Sequence, residues 1–315
     1  MIKRLLLIVV GVALFVFILS KVDLPKILAQ LKETNLLFCL GTLATFLIMI
    51  FLKGIRWSYL LRMQGYRYSV WNCFLIYMGS LYWGNITPGR AGDFMKVLYL
   101  KEDLNLSMGT GMTSVLVDRV FDLYLLLILG CLGILIYPMP ADPHLIQLVW
   151  IFFGLLVVIT ILAFNRKIGE IVIKTAYQKI LGSQLKERAN QAFEDFHKGM
   201  EAFYSLKLLI PILLSLVSYL AFFGGCYLLG LAIGLNINIL YLAFTISVVN
   251  IVSLLTFLGM GTREGALIIL FGLINLSREQ AMAYSLLLFF TGTVMFTLLC
   301  FFCFLLKPVR LKAEG

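Results

Sequence analysis

The hydrophobic pattern of this chain sorts into apolar runs long enough to cross a bilayer and apolar runs that are cut short. Runs near residues 4 to 20, 36 to 52, 113 to 137, 145 to 164, 208 to 233 and 282 to 306 each approach the roughly 17 to 25 residues that a helix needs to cross a hydrocarbon core of about 30 Å. Each predicts a full transmembrane helix. Two other stretches, about 70 to 100 and 239 to 275, resist assignment as single spans. Asn85-Ile86-Thr87-Pro88-Gly89-Arg90-Ala91-Gly92-Asp93 interrupts the first and Gly259-Met260-Gly261-Thr262-Arg263-Glu264-Gly265 the second. Helix breakers and charges between short apolar runs predict discontinuous helices, which membrane-depth backbone tolerates only inside protein or beside a wet cavity.

Basic residues in the connections orient these elements, because Lys and Arg beside short loops stay cytoplasmic. Lys3 and Arg4 place the amino terminus inside, and the first apolar run reads as a retained helix because no small-residue cleavage site follows it. Lys53, Arg56, Arg62 and Arg67, read as one loop, are inside; so are the 165 to 207 segment, rich in Lys and Arg, and the tail with Lys307, Arg310 and Lys312. Pro138 to His144 has neither Lys nor Arg and is outside. Walking along the chain, segment 70 to 100 starts and ends inside, and 239 to 275 starts and ends outside. Each becomes a re-entrant helical hairpin, and the two enter from opposite faces. The expected fold is therefore an all-α polytopic membrane protein: one membrane domain over 1 to 315, with about six full transmembrane helices in an inverted-topology repeat. Repeat A covers 1 to 140, repeat B covers 141 to 306, and 307 to 315 form a cytoplasmic tail, so both termini are cytoplasmic. Charge counting leaves open a ten-span arrangement in which each hairpin is two thin spans.

Within 166 to 206, Ala189, Ala192, Phe193, Phe196, Met200, Phe203 and Tyr204 recur at helical spacing opposite Lys186, Glu187, Asn190, Glu194, Asp195 and Lys198. This predicts a cytoplasmic amphipathic helix. It either lies on the membrane surface or links the repeats while packing on other loops.

Composition narrows the class. With 61% hydrophobic and 13% charged residues and a mean hydropathy of +0.98, the chain is no soluble globule. A net charge of +10 would suggest nucleic acid in a soluble protein, but here the cations flank apolar runs, so anionic lipid headgroups are the expected partners and nucleic acid is not. The six cysteines fall in or beside apolar segments without a disulfide or zinc pattern, and Cys300 and Cys303 read as small buried hydrophobes. No Gly-rich phosphate loop, Asp-x-Asp or His-rich spacing is present, so no cofactor, no metal and no enzyme activity are expected, although carboxylates in the hairpins could in principle act as bases.

The interruptions carry the candidate chemistry. Pro88 lacks a donor and Gly89 and Gly92 tolerate unusual dihedrals, which frees amides near the start of a half-helix, Phe94 to Leu100. Asp93 could cap that half-helix, with Arg90 at its positive end. Amides, helix terminus and guanidinium together suit an anion such as phosphate; the alternative is an Arg90 to Asp93 pair that closes the turn. In the second interruption, Gly259, Gly261 and Gly265 bracket Arg263 and Glu264, which need a partner or a wet cavity if they sit deep in the bilayer. Asp118 and Asp122 share a helical face with Arg119 on its flank. They could anchor Arg90 or Arg263, take up a proton, or merely decorate a helix start.

These residues resemble a known family. Pro88-Gly89-Arg90-Ala91-Gly92-Asp93, Val117-Asp118-Arg119-Val120-Phe121-Asp122 and Thr262-Arg263-Glu264-Gly265-Ala266-Leu267, in that order, are similar to the transmembrane, flippase-like domain of the lysylphosphatidylglycerol synthase family. The likeness covers nearly the whole chain. Asp118 stands where a longer Glu is more typical, and the run before Gly261 lacks an expected proline. The resemblance implies a bacterial or archaeal cytoplasmic-membrane protein that translocates a lipid between leaflets; the lysine-attaching activity of a separate cytosolic domain is not carried over. The expected function is a flippase or scramblase for an anionic or aminoacylated phospholipid or a polyprenyl-phosphate type lipid. Arg90 and Arg263 would hold phosphate, while Asp93, Asp118, Asp122 and Glu264, with Arg119, would position them or meet a cationic headgroup. A membrane subunit or enzyme in glycosyl or aminoacyl transfer and a small-solute or ion transporter are the alternatives, and self-association or docking of a lipid-modifying enzyme stays open.

Overall fold

A computed structural model describes residues 13–137, 143–166, 183–203 and 205–309. All the regular structure in them is helical. In chain order the helices are α1 (13–19), α2 (Leu24–Lys32), α3 (Leu36–Met63), α4 (Val70–Ile86), α5 (Met95–Leu104), α6 (Met108–Ile136), α7 (Pro143–Phe164), α8 (Ser183–Glu201), α9 (Leu209–Ala232), α10 (Ile239–Val252), α11 (Thr262–Gly272), α12 (Arg278–Phe289) and α13 (Phe296–Leu306). Short polar residues start them as expected for N-caps, whose side-chain oxygens satisfy orphan amides: Asn35 accepts from Leu37 N–H, Ser107 from Thr110 N–H and Asn238 from Leu240 N–H. Asn105 and Asn275 end α5 and precede α12 at positive φ, 52° and 60°, a conformation that asparagine tolerates better than most residues.

Among the described residues, four helical stretches are long and apolar enough to cross a membrane: Leu36–Met63, Met108–Ile136, Leu206–Ala232 and Arg278–Leu306. Their outer surfaces are oily, with Leu37 at 72% and Leu220 at 70% exposure, which in water would be an aggregation hazard and in lipid is not. The last stretch contains a π turn, Phe290–Met295, between α12 and α13. The run at 145 to 164 falls in α7, and residues 1 to 12 of the first run lie outside the described residues.

The two interrupted stretches are each a helix, a break and a second helix. Their helices have 17, 10, 14 and 11 residues, so at 1.5 Å per residue none exceeds about 26 Å, short of a hydrocarbon core of about 30 Å. In the first break the chain passes through a 3-10 turn, Pro88–Phe94, that doubles back on α4. Gly92 is required there by space and not by a left-handed φ, since a Cβ on it would overlap the Trp83 backbone. Its N–H donates to Thr87 Oγ1 at 2.7 Å. Asp93 does not cap α5, contrary to expectation; Phe94 precedes that helix with no side-chain cap. In the second break Leu258, Gly259 and Gly261 all take positive φ, 54°, 71° and 80°. The backbone therefore breaks sharply without the missing proline. Gly265 is no part of the turn: it lies in the first turn of α11, where its N–H bonds to the Gly261 carbonyl at 3.0 Å. The two breaks abut, residues 88–94 against 257–259.

Two expectations need correction or refinement. The run read as ending at residue 52 continues helically to Met63, so Lys53 and Arg56 are helix-interior residues and not loop cations. Helix α8 covers Ser183–Glu201 and packs on α6: Phe196, Met200 and Phe203 bury against Leu60 and Val117, and Thr113 Oγ1 donates to the Phe196 carbonyl at 3.0 Å. Its apolar face is thus taken up by protein, while the Ala189 side chain, Tyr204 and residues 167 to 182 of that segment lie outside what is described.

Candidate functional site: a charged chamber inside the bundle

Helix α3 presents Lys53 and Arg56, three apart, toward Asp118 and Asp122, four apart on α6; both spacings put like charges on one helical face. Arg56 donates from Nε at 2.9 Å and from Nη2 at 2.6 Å to Asp118 Oδ1. Its Nη1 lies 2.9 Å from Asp122 Oδ1 and bonds Ser215 Oγ of α9 at 2.8 Å. Lys53 Nζ donates to Asp122 Oδ2 at 2.9 Å and stands over the Tyr219 ring. From α5, Lys96 Nζ reaches the second oxygen of Asp118 at 3.0 Å, where Tyr77 of α4 also donates at 2.6 Å. One carboxylate thereby ties α3, α4 and α5 to α6. Arg56, Lys96 and Asp118 have side-chain exposures of 0%, so these charges persist only because they are paired and hydrogen-bonded.

Beside this cluster Arg119 Nη2 pairs with Asp93 Oδ2 at 2.7 Å. The first break is therefore pinned to α6. Lys53, Asp93, Arg119 and Asp122 line a cavity of about 470 Å³ together with apolar side chains that include Phe46, Leu126, Leu156, Ile251 and Phe296. A second cavity of about 190 Å³ reaches Arg263, Gly259 and Leu258 at the second break. Phe46, Asn85, Phe222, Asn250, Leu254, Gly292 and Thr293 line both, so the two chambers adjoin through a common wall.

Arg263 and Glu264 open α11 as a closed unit. Glu264 Oε2 accepts from Gly261 N–H at 2.7 Å, and its Oε1 takes Arg263 Nη2 at 2.5 Å and Ser285 Oγ at 2.9 Å. The Arg263 guanidinium also lies over the Phe289 ring at 4.8 Å. Outside the spans, burial together with Asp103 pushes the Tyr68 hydroxyl well above its ordinary pKa, and Lys307 pairs with the same Asp103 at 2.7 Å.

Of the residues singled out from sequence, Asp93, Arg119 and Asp122 face the larger chamber and Arg263 the smaller; Asp118 and Glu264 are buried behind them, serving the neighbouring cations. The backbone of Pro88, Gly89 and Arg90 lies in the turn, and their side chains lie outside the described residues. Sequence reasoning missed Lys53, Arg56 and Lys96. A signal existed: a cation pair at i, i+3 ending one apolar run is the complement of an acid pair at i, i+4 beginning another. Among the described residues no group of three His, Cys, Asp or Glu is placed to hold a metal.

A helical bundle oily outside and ionic within defines a polytopic membrane protein built around an internal charged chamber. The chain belongs to the family described as the lysylphosphatidylglycerol synthase TM region, whose model matches residues 4–300. It is similar to UPF0104 membrane protein MJ1595 of Methanocaldococcus jannaschii, 23% identical over 90% of this chain and 89% of that one. A shorter likeness, 28% identical over 152 residues, joins it to Glycosyltransferase AglD of Haloferax volcanii, covering 46% of this chain and 23% of AglD. No solved structure matches it.

Proposed function

We propose that this protein moves a lipid with an anionic headgroup between leaflets, as a flippase or scramblase. One observation carries the reading: a single cavity within the bundle is lined both by ion-paired charges and by apolar side chains, the mixed lining that a headgroup with attached tails requires. A small polar solute would leave the apolar wall wet, and this argues against the solute-transporter alternative. The short helices around the abutting breaks suit re-entrant hairpins from opposite faces in an inverted repeat, with Arg119 and Arg263, joined by Arg90, meeting the phosphate. In this reading the protein sits in the cytoplasmic membrane with both termini inside.

The test is lipid translocation in proteoliposomes, read by quenching of a fluorescent lipid in the outer leaflet. Arg119→Ala and Arg263→Ala should each slow translocation at least about tenfold, the loss of one charge-assisted contact of about 1.5–3 kcal/mol. Unchanged rates in both variants would overturn the assignment.

The likeness to Glycosyltransferase AglD favours a second reading, a membrane part of lipid glycosyl transfer. Lipid extracts from a deletion strain separate the two. Loss of an enzyme removes a lipid species, whereas loss of a flippase changes only its sidedness.

A further inference from the structure

The wall between the two chambers is mixed, with polar side chains set among the bulky Phe46, Phe222 and Leu254. Asn85 from the last turn of α4, Asn250 from α10 and Thr293 from the π turn line both cavities. Asn85 Nδ2 donates to Thr297 Oγ1 of α13 at 2.7 Å, across 212 residues of sequence. Asn250 Nδ2 donates instead to the Ile246 carbonyl of its own helix at 2.8 Å. The Asn85–Thr297 bond sits beside two irregular stretches of backbone: Asn85 is in the last turn of α4, ahead of the first break, and Thr297 is in the first turn of α13, after the π turn. Single π turns inside α-helices concentrate at functional sites because the extra residue leaves a helix register that can shift.

We propose that Asn85 is the selectivity residue of the passage between the chambers. In the closed arrangement its amide is held by Thr297; when a headgroup crosses, the amide exchanges that neutral hydrogen bond for one to the phosphate oxygens. Asn85 and Asn250 bring donors to the passage without a full charge. A fixed cation here would bind the headgroup midway and slow its release, and a carboxylate would repel it. This rests on the transport reading above and names the residue that regulates movement within the same site.

The test compares two lipids in the same proteoliposomes, one with an anionic headgroup and one zwitterionic, in the wild type, Asn85→Asp, Asn85→Gln and Asn250→Asp. Asn85→Asp, which keeps the size and adds a charge, should lower the anionic-to-zwitterionic rate ratio by about tenfold, and Asn85→Gln, which keeps a neutral amide on a longer side chain, should leave the ratio near that of the wild type. A purely structural role for Asn85 would slow both lipids alike and leave the ratio where it was; that result overturns the proposal. Should Asn85→Asp fail to reach the membrane, Asn250→Asp, which lines the same two chambers, decides by the same ratio. If the wild type moves neither lipid, it is the transport reading itself that falls. If it moves lipid and no variant alters the ratio, only the role of Asn85 is lost.

Discussion

Replacing Asp118 with Asn should destabilise the protein more than any other single charge change in the bundle. The carboxylate takes hydrogen bonds from Arg56, Lys96 and Tyr77, all within 3.0 Å. Asparagine keeps the volume but offers one acceptor oxygen and no charge. Arg56 retains Asp122 at 2.9 Å, so its loss is partial, whereas Lys96 is left against the faces of Tyr77 and Trp57. Removing one partner from a buried pair costs about 3–5 kcal/mol, and the partial compensation at Arg56 places this case near 4 kcal/mol. At about 2 °C per kcal/mol for a larger chain, the midpoint of thermal unfolding in detergent should fall by about 8 °C. The comparison is Lys26→Ala, which removes a surface pair at 3.3 Å with Lys26 71% exposed and should cost less than about 1 kcal/mol. If the two variants shift the midpoint equally, the cluster is not what holds α3, α4 and α5 to α6.

Gly92→Ala should sharply lower the yield of folded protein, because the added Cβ has only the Trp83 backbone to enter, whereas Gly224→Ala, with open space around it, should be neutral or stabilise by up to about 1 kcal/mol; gel-filtration profiles in detergent compare the two. Gly109→Ala places a Cβ into the Ala192 carbonyl and should detach α8 from α6, read as faster proteolysis within 183–201 while the bundle remains intact. Leu258→Gly relieves a left-handed leucine at φ 54° and should stabilise the second break by about 1 kcal/mol, measured as a small rise in the unfolding midpoint; an unchanged or lower midpoint means that the side chain, which lines the smaller chamber, contributes more than the strain removes.

The helical class, the long spans and the two broken stretches were legible because membrane helices write themselves as long apolar runs, and Pro88, Gly259 and Gly261 mark breaks by chemistry that acts locally. The candidate acids were legible for the same reason: Asp93, Asp118, Asp122 and Glu264 stand out against an apolar background. Their partners were not. Lys53 and Arg56 follow directly on an apolar run, where a basic pair ordinarily means a cytoplasmic loop, and only the packing of α3 on α6 shows them facing inward. Of the four cations first read as one loop, Arg62 also lies in α3, in its last turn, so only Arg67 stands in the connection to α4. Lys96 hid in a half-helix whose inward face depends on how the 3-10 turn folds back on α4. The role expected of Asp93 failed on the same point: capping is a local inference, and a carboxylate with a guanidinium 2.7 Å away on another helix has a stronger partner than a peptide N–H.

The two breaks are stabilised by different means, which bears on how they could separate. At the second break the bonds are short-range: Glu264 closes on its own Gly261 and Arg263, and Ser285 and Phe289, both on α12, add contacts to the pair. That segment can shift together with α12 without exposing a bare charge. The first break is held from outside, Asp93 by Arg119 and the start of α5 by Lys96 on Asp118. Moving it away from α6 strands Arg119 and Lys96 together unless another anion replaces the carboxylates. A headgroup phosphate entering the chamber at Arg119 would supply that anion, so occupancy should loosen the first break and leave the second unaffected. Hydrogen exchange in vesicles with and without anionic lipid measures this: faster exchange in 88–104 alone is the expected result, and equal change in 253–272 would refute the asymmetry.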